Sequence, residues 1–184
     1  MRIFIGTAVQ TGTAKALSAK LGDGLYEPFW RVAPMAQWHV TALFIGERPE
    51  TVVPAVSAAV AKLASSRTPI QLEDGRLVTM PKQDPSMLWI RFRPNTELTA
   101  LHVALADATG TEPSIYRPYW PHITLARAKT GKPGNVDGPV VLPSFLIDHL
   151  TLFRSTPSPG GSVHQPIASW PLTGTVPVAP EEAD

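Results

Sequence analysis

Two short stretches carry the same pair of polar side chains at the same spacing. Residues 38–46 read WHVTALFIG and residues 118–128 read PYWPHITLARA. In an extended strand residues i and i+2 share a face, so His39 projects with Thr41, and His122 with Thr124. Val40, Ala42, Ile123 and Leu125 then turn toward a core. A strand serving only that core would carry an apolar residue in place of each imidazole and hydroxyl. If the two strands meet, two imidazoles and two hydroxyls converge.

Such a set suits cleavage of a phosphodiester. One group must take a proton from the attacking nucleophile, and another must give one to the departing oxygen. Histidine is the side chain whose ordinary pKa permits both near neutrality. Hydroxyls are neutral donors that can hold the non-bridging phosphate oxygens and fix the phosphorus between the rings. No metal is required by this chemistry. Neither of the other two readings is removed by spacing alone: a half-buried histidine bonded to a backbone carbonyl, and a threonine that merely fills a strand.

The elements that must position these residues can be read from the rest of the chain. Arg2–Val9 is rich in β-branched residues and reads as a strand. TGTAKALSAKLG follows as a helix, with threonines as N-cap candidates and Gly22 as its stop. Residues 49–65 have helical periodicity, with Pro54 acceptable near the first turn. Ile70–Met80 and Met87–Arg93 read as strands that flank PKQDPS and pair as a hairpin. Asn95 caps a helix to about Ala108, with Leu98, Leu101 and Leu105 on one face. Tyr119–Arg127, Phe145–Phe153 and Ile167–Leu172 read as the remaining strands. The order β-α-β-α-β-β-α-β-β-β is an α+β pattern, with helices packed on mostly antiparallel sheets. One domain over residues 1–176 is expected, with an acidic, disordered tail over 177–184.

Composition narrows the setting. The chain has 184 residues, 43% of them hydrophobic and 17% charged, enough for a substantial core. A formal net charge of +1 gives no broad basic field for long nucleic acid. Zero cysteines exclude disulfides, thiolate metal sites and cysteine nucleophiles. The N-terminus turns polar too soon for a signal peptide, and no apolar run is long enough to span a membrane, so a cytoplasmic setting is expected.

The two stretches resemble the paired His-x-Thr signatures of the 2H phosphoesterase superfamily, and within it the RNA 2′,3′-cyclic phosphodiesterases, historically named 2′–5′ RNA ligases. MRIFIG, LVTMPKQDPSMLWIRF, LTALHVAL, FLIDHLTLFRS and IASWPL follow in the family's order, to about residue 173. The resemblance implies a bilobal fold with two antiparallel sheets lining a central groove. It implies His39 and His122 as the catalytic pair, and Thr41, Thr124 and Arg127 as phosphate-binding residues. The implied activity is metal-independent and cofactor-free hydrolysis of a 2′,3′-cyclic phosphate to a 2′-phosphate, with His122 as base and His39 as acid. The same site run in reverse would join ends through a 2′–5′ linkage. The implied partners are RNA 3′ ends or small nucleotides bearing a 2′,3′-cyclic phosphate. A monomer is expected, with no membrane and no obligate protein partner. Two alternatives stay open: a non-catalytic nucleotide or RNA-end binding module, and a phosphodiesterase for ADP-ribose cyclic phosphate or 2′–5′ oligonucleotides.

Departures and outliers complete the reading. Trp120 stands two before the second histidine, where relatives carry polar or basic residues, and Gln37-Trp38 replaces Asn-Leu before the first. Strict alternation puts Arg127 on the face opposite His122, so its role requires the strand to bend or end near Ala126, or the long side chain to wrap the edge. Phe44 stands at the same offset from His39; it reads first as core and second as a surface for stacking a base. Tyr116, Tyr119 and Trp120 could form a stacking platform. Arg31 reads as a solvated charge or a phosphate guide, His102 and His149 as packing or surface residues, and His164 as part of a turn.

Overall fold

The computed structural model describes residues 1–22, 29–115, 119–129, 134–140 and 145–175. Tyr116 and the acidic tail from residue 177 lie outside the described residues. The strands are β1 (Arg2–Ala8), β2 (Trp30–Val32), β3 (His39–Glu47), β4 (Ile70–Leu72), β5 (Arg76–Met80), β6 (Met87–Arg91), β7 (His122–Ala128), β8 (Asp137–Pro139), β9 (Phe145–Ile147), β10 (His149–Thr156) and β11 (Val163–Pro171). The helices are α1 (Thr11–Leu21), α2 (Val53–Ser65) and α3 (Thr96–Thr109). None of the described helices is long and apolar enough to cross a membrane.

Eight strands form one antiparallel path in the order β11-β10-β1-β3-β7-β6-β5-β8, with β2 also paired to β7. Its two halves, four strands each, meet where β3 and β7 touch through one residue pair, Val40 and Ile123. Each of these residues directly follows the histidine of its own motif. Beyond that pair the strands part, and β2 fills the space beside β7, setting Arg31 opposite Arg127 and Val32 opposite Ala126.

The helices close one side. In α3, Leu98, Leu101 and Leu105 are fully buried at helical spacing, each stabilising by about 1.5–3 kcal/mol. Asn95 caps it, the Oδ1 accepting from the Leu98 amide at 2.8 Å, and Gly110 ends it in the left-handed conformation. Packing of α3 against α2 and β3 puts this core directly behind the first motif.

The sequence reading needs four corrections. Ile70–Met80 is two strands, because β4 leaves the main sheet to pair with β9. Phe145–Phe153 is likewise divided at Asp148 into β9 and β10. Each pair of short strands serves different sheets, which local composition does not encode. Strands β2 and β8 are three residues each and escaped a pattern search. At α1 the N-cap is Gln10, without a side-chain cap bond, rather than a threonine.

The two motif strands share an irregularity. In β3, Gly6 pairs with Thr41 and Ile5 with Leu43, leaving Ala42 unmatched. In β7, Trp89 pairs with Thr124 and Leu88 with Ala126, leaving Leu125 unmatched. Each is a β-bulge three residues after its histidine. Both bulges have their extra carbonyl satisfied. Ala42 accepts from the His102 ring Nδ1 at 2.7 Å, and Leu125 accepts from the Ala33 amide at 2.8 Å. Opposite the first bulge, a Cβ on Gly6 would lie 2.5 Å from the Val40 oxygen, so only glycine fits there.

His102 is itself buried, and its Nε2 accepts from the Ser114 amide at 2.9 Å. Replacing it by leucine keeps the bulk but leaves the Ala42 carbonyl buried without a donor. His102→Leu is expected to lose about 1–3 kcal/mol of stability in urea titration. An unchanged midpoint would show that the bulge needs no such support.

Candidate active site

The bulges set which side chains share a face. Along β3, His39 and Thr41 are half-exposed, Ala42 and Leu43 are both buried, and Phe44 is exposed. Along β7, His122 and Thr124 are half-exposed, Leu125 and Ala126 are both buried, and Arg127 is exposed. Two consecutive buried residues shift the alternation by one. Phe44 therefore joins His39 and Thr41, and Arg127 joins His122 and Thr124. The parity objection to Arg127 is thus removed by one inserted residue.

These six side chains line one groove of about 280 Å³, together with Arg2, Phe4, Arg31, Gln37, Ser155 and His164. The single β3–β7 pair, Val40 with Ile123, brings the two His-x-Thr segments to one junction, and all four side chains line the groove that opens there.

Both rings are anchored in the same way. His39 donates from Nδ1 to the Gln37 carbonyl at 2.7 Å, and His122 from Nδ1 to the Trp120 carbonyl at 3.0 Å. A carbonyl can only accept, so the proton sits on Nδ1 and each neutral ring has its Nε2 lone pair free. The anchor is a backbone atom two residues before the histidine. Neither anchor uses the side chain at position 37 or 120.

Each ring also has an aromatic backing from the next strand. Trp89 of β6 stacks on His122 with centroids 3.9 Å apart and planes 19° apart. Phe4 of β1 lies 4.8 Å from His39, tilted by 34°. Burial against these faces removes water from the rings and disfavours the imidazolium. The pKa of His39 falls to about 4, chiefly through burial, with His164 and His122 adding repulsion against the upward pull of the Gln37 bond. His122 is lowered too, again mainly by burial. Both are neutral at rest near pH 7.

Sequence reasoning missed Trp89, Phe4 and His164. The first two meet the histidines only across strands, so no spacing within one segment could reveal them. His164 belongs to β11 and not to a turn; its ring stands edge-on to His39 at 4.8 Å. Its amide donates to the Gln37 side-chain oxygen at 2.6 Å, tying β11 to the residue that anchors His39. Burial and the guanidinium groups of Arg127 and Arg2 lower its pKa.

Three other expectations change. Phe44 is not core: it is 46% exposed, with the Arg2 guanidinium 4.8 Å above its ring. Tyr119 does not face the groove, because its hydroxyl donates to the Thr41 carbonyl at 2.6 Å and its ring stacks on His102. Trp120 lies outside the groove lining, with the Arg91 guanidinium 4.5 Å above its ring. Arg31 does line the groove and donates to the Pro159 carbonyl at 3.3 Å. His149, bonded to Asp148 at 2.5 Å, does not line it.

Sequence and fold similarities place the chain among known proteins. The model of the 2′-5′ RNA ligase superfamily matches residues 16–157. The RNA 2′,3′-cyclic phosphodiesterase of Bacillus subtilis is 28% identical over 134 residues, which span 71% of this chain and 73% of that protein. Its namesake from Thermus thermophilus is also 28% identical, over 79% of this chain and 77% of the relative. Among solved structures, a Thermus thermophilus protein superposes with a TM-score of 0.82 at 24% identity, covering 95% of this chain and 99% of its own. E. coli LigT in apo form gives 0.74 at 20% identity, with coverages of 94% and 97%.

The ring environments predict a titration. Imidazole NMR should place the His39 midpoint near pH 4, with His122 and His164 below the ordinary 6.5. The unfolded chain takes up a proton at His39 near 6.5 and the folded one only near 4, so stability falls as pH drops through that window. A His39 midpoint at or above 6.5 would contradict the burial assigned here.

Proposed function

The chain belongs to the 2′-5′ RNA ligase superfamily, and from that premise we propose that it hydrolyses 2′,3′-cyclic phosphates at RNA 3′ ends or on nucleotides, leaving a 2′-phosphate. The observation that carries this reading is the pair of Nδ1-anchored imidazoles, each with a free Nε2 and a threonine neighbour in one groove. Two relatives named RNA 2′,3′-cyclic phosphodiesterase support the substrate class. E. coli LigT, similar in fold, has been crystallised with 3′-AMP.

In the proposed reaction the Thr41 and Thr124 hydroxyls donate to the non-bridging oxygens and hold phosphorus between the rings. His122, neutral at rest, takes a proton from water through Nε2 as the water oxygen bonds to phosphorus. The bond from phosphorus to O3′ breaks, and His39 delivers its proton to that oxygen. The product keeps phosphate on O2′. A proton then returns from His122 to His39 through solvent, closing the cycle without net change.

The low pKa of His39 fits the acid role only in the complex. A bound phosphate anion beside the ring favours the imidazolium and opposes the burial that removes it. Once formed, an imidazolium so disfavoured is a strong acid. Phe44, exposed on the same face, offers the nucleobase an aromatic surface. No metal enters the proposed steps, since the imidazoles carry both protons. The reverse reaction, 2′–5′ joining, would use the same groups. A cytoplasmic monomer is the setting proposed.

His39→Ala and His122→Ala should each lower kcat by about 100-fold or more while leaving the melting temperature near that of the parent. Activity should survive EDTA, and strict metal dependence would sink the mechanism. The rate needs His122 neutral and His39 charged, and both free-enzyme pKa values lie below 6.5. The kcat/KM profile should therefore be a bell whose maximum lies on the acid side of pH 6.5, with the kcat bell displaced upward by bound phosphate. A kcat/KM maximum at alkaline pH would contradict the assignment. A panel including ADP-ribose cyclic phosphate and 2′–5′ oligonucleotides separates the substrate alternatives. Binding of 2′,3′-cyclic nucleotides without product would leave only a binding module.

A further inference from the structure

The groove continues past the two His-x-Thr pairs into a region whose charge the proposed hydrolysis does not use. Arg31 and Arg127 are direct partners across β2 and β7, and both line the groove. Like charges placed opposite one another on adjacent strands oppose the pairing that holds them. Three other arginines have carboxylate partners: Arg76 meets Asp137 at 2.9 Å, Arg93 meets Asp74 at 2.7 Å, and Arg154 meets Glu50 at 2.9 Å. Among the described residues no carboxylate pairs with Arg31, Arg127 or Arg2, and no aspartate or glutamate lines the groove. An overall charge of only +1 makes this local excess a placed feature and not a consequence of composition.

Position gives the excess a use. Arg127 lies three residues beyond Thr124, about 10 Å along the strand, on the face the bulge restores. Arg31 stands beside it, its guanidinium steadied by the Pro159 carbonyl. A cyclic phosphate held between the two imidazoles leaves this end of the groove to a group farther along the ligand. Two planar guanidinium forks facing one space suit a phosphate, whose oxygens accept charge-assisted bonds from both.

We propose that Arg31 and Arg127 form a second phosphate subsite that takes the 5′-phosphate of the terminal nucleotide, so that the preferred substrates are RNA ends and 5′-phosphorylated nucleotides over plain cyclic mononucleosides. The assignment to a terminal nucleotide rests on the phosphodiesterase reading; the anion subsite does not. Arg2, over Phe44, adds long-range attraction, and an anion between Arg31 and Arg127 relieves the cross-strand repulsion.

The test separates binding from turnover. Calorimetry should show adenosine 2′,5′-bisphosphate binding about tenfold or more tightly than adenosine 2′-monophosphate, as expected for an added pair of charge-assisted bonds. Arg31→Gln should erase most of that advantage, and Arg31→Lys, which keeps the charge but not the fork, should fall between. Adenosine 2′,3′-cyclic phosphate with a 5′-phosphate should be turned over with a lower KM than the 5′-hydroxyl compound. Equal affinities in the parent protein, or an advantage that survives Arg31→Gln, would overturn the subsite. Turnover of both cyclic compounds at equal KM would also overturn it and leave the phosphodiesterase standing. A bisphosphate advantage that depends on Arg31, with neither cyclic compound turned over, would uphold the subsite and sink the phosphodiesterase.

Discussion

Each half of the groove depends on one inserted residue. Ala42 in β3 and Leu125 in β7 have no partner on the neighbouring strand, and each insertion turns the residue two places on, Phe44 or Arg127, to the groove face. Without the insertions, Phe44 and Arg127 would face the core, where a guanidinium has no counter-charge. A bulge also creates a cost, because its carbonyl leaves the ladder. The fold meets that cost differently on the two sides. The first bulge is held from below by α3, through His102, with Tyr119 bonding the adjacent Thr41 carbonyl. The second is held from the side by the segment after β2, through Ala33. The stacked His102–Tyr119 pair, 4.4 Å apart, therefore acts on the site without entering it.

The same arrangement explains why the imidazoles sit at the junction of the sheet. Val40 and Ile123 form the one β3–β7 pair, and the strands separate on either side of it. Separation opens the groove, and the pair keeps both histidines within one charge field. Burial then competes with anion binding at each ring. In the empty groove burial wins, and both are neutral. Arginines at the rim push in the same direction, as the lowering of His164 by Arg127 and Arg2 shows. In the proposed reaction a bound anion would oppose that balance, coupling the charge state of the site to its occupancy.

Much of this was legible in the chain, and the illegible part has a common cause. His39, Thr41, His122 and Thr124 could be found because each pair lies within one strand, where period 2 decides the face. The α3 cap at Asn95 and the β5–β6 hairpin were equally local. Phe44 and Arg127 were assigned the wrong parity because a bulge is a relation between two strands, and neither LFIG nor LARA contains a residue that announces it. Trp89 and Phe4 failed to appear for the same reason. So did the division of Ile70–Met80: β4 belongs with β9, far later in the chain, a pairing that only the closed fold supplies. His164 looked like part of a turn because PGGS precedes it, yet the strand begins one residue before it.

The two halves repeat a plan but not its chemistry, and the difference is informative. Both have a histidine bonded to the carbonyl two residues back, a threonine, an aromatic backing and a bulge at the same offset. At the fifth position past the histidine, one half has Phe44 and the other Arg127. Beside His39 stands a third imidazole, His164, whereas His122 has the indole of Trp89. A symmetric site would suit a symmetric ligand. A ring on one side and paired guanidinium groups on the other suit a ligand with an aromatic end and an anionic end, held by a phosphate between them. That polarity also breaks the equivalence of the two histidines. His39 is held neutral by burial, with His164 and His122 adding repulsion, whereas burial alone lowers His122 against the pull of its Trp120 bond. The two histidines, alike in motif, are thus distinguished by their surroundings.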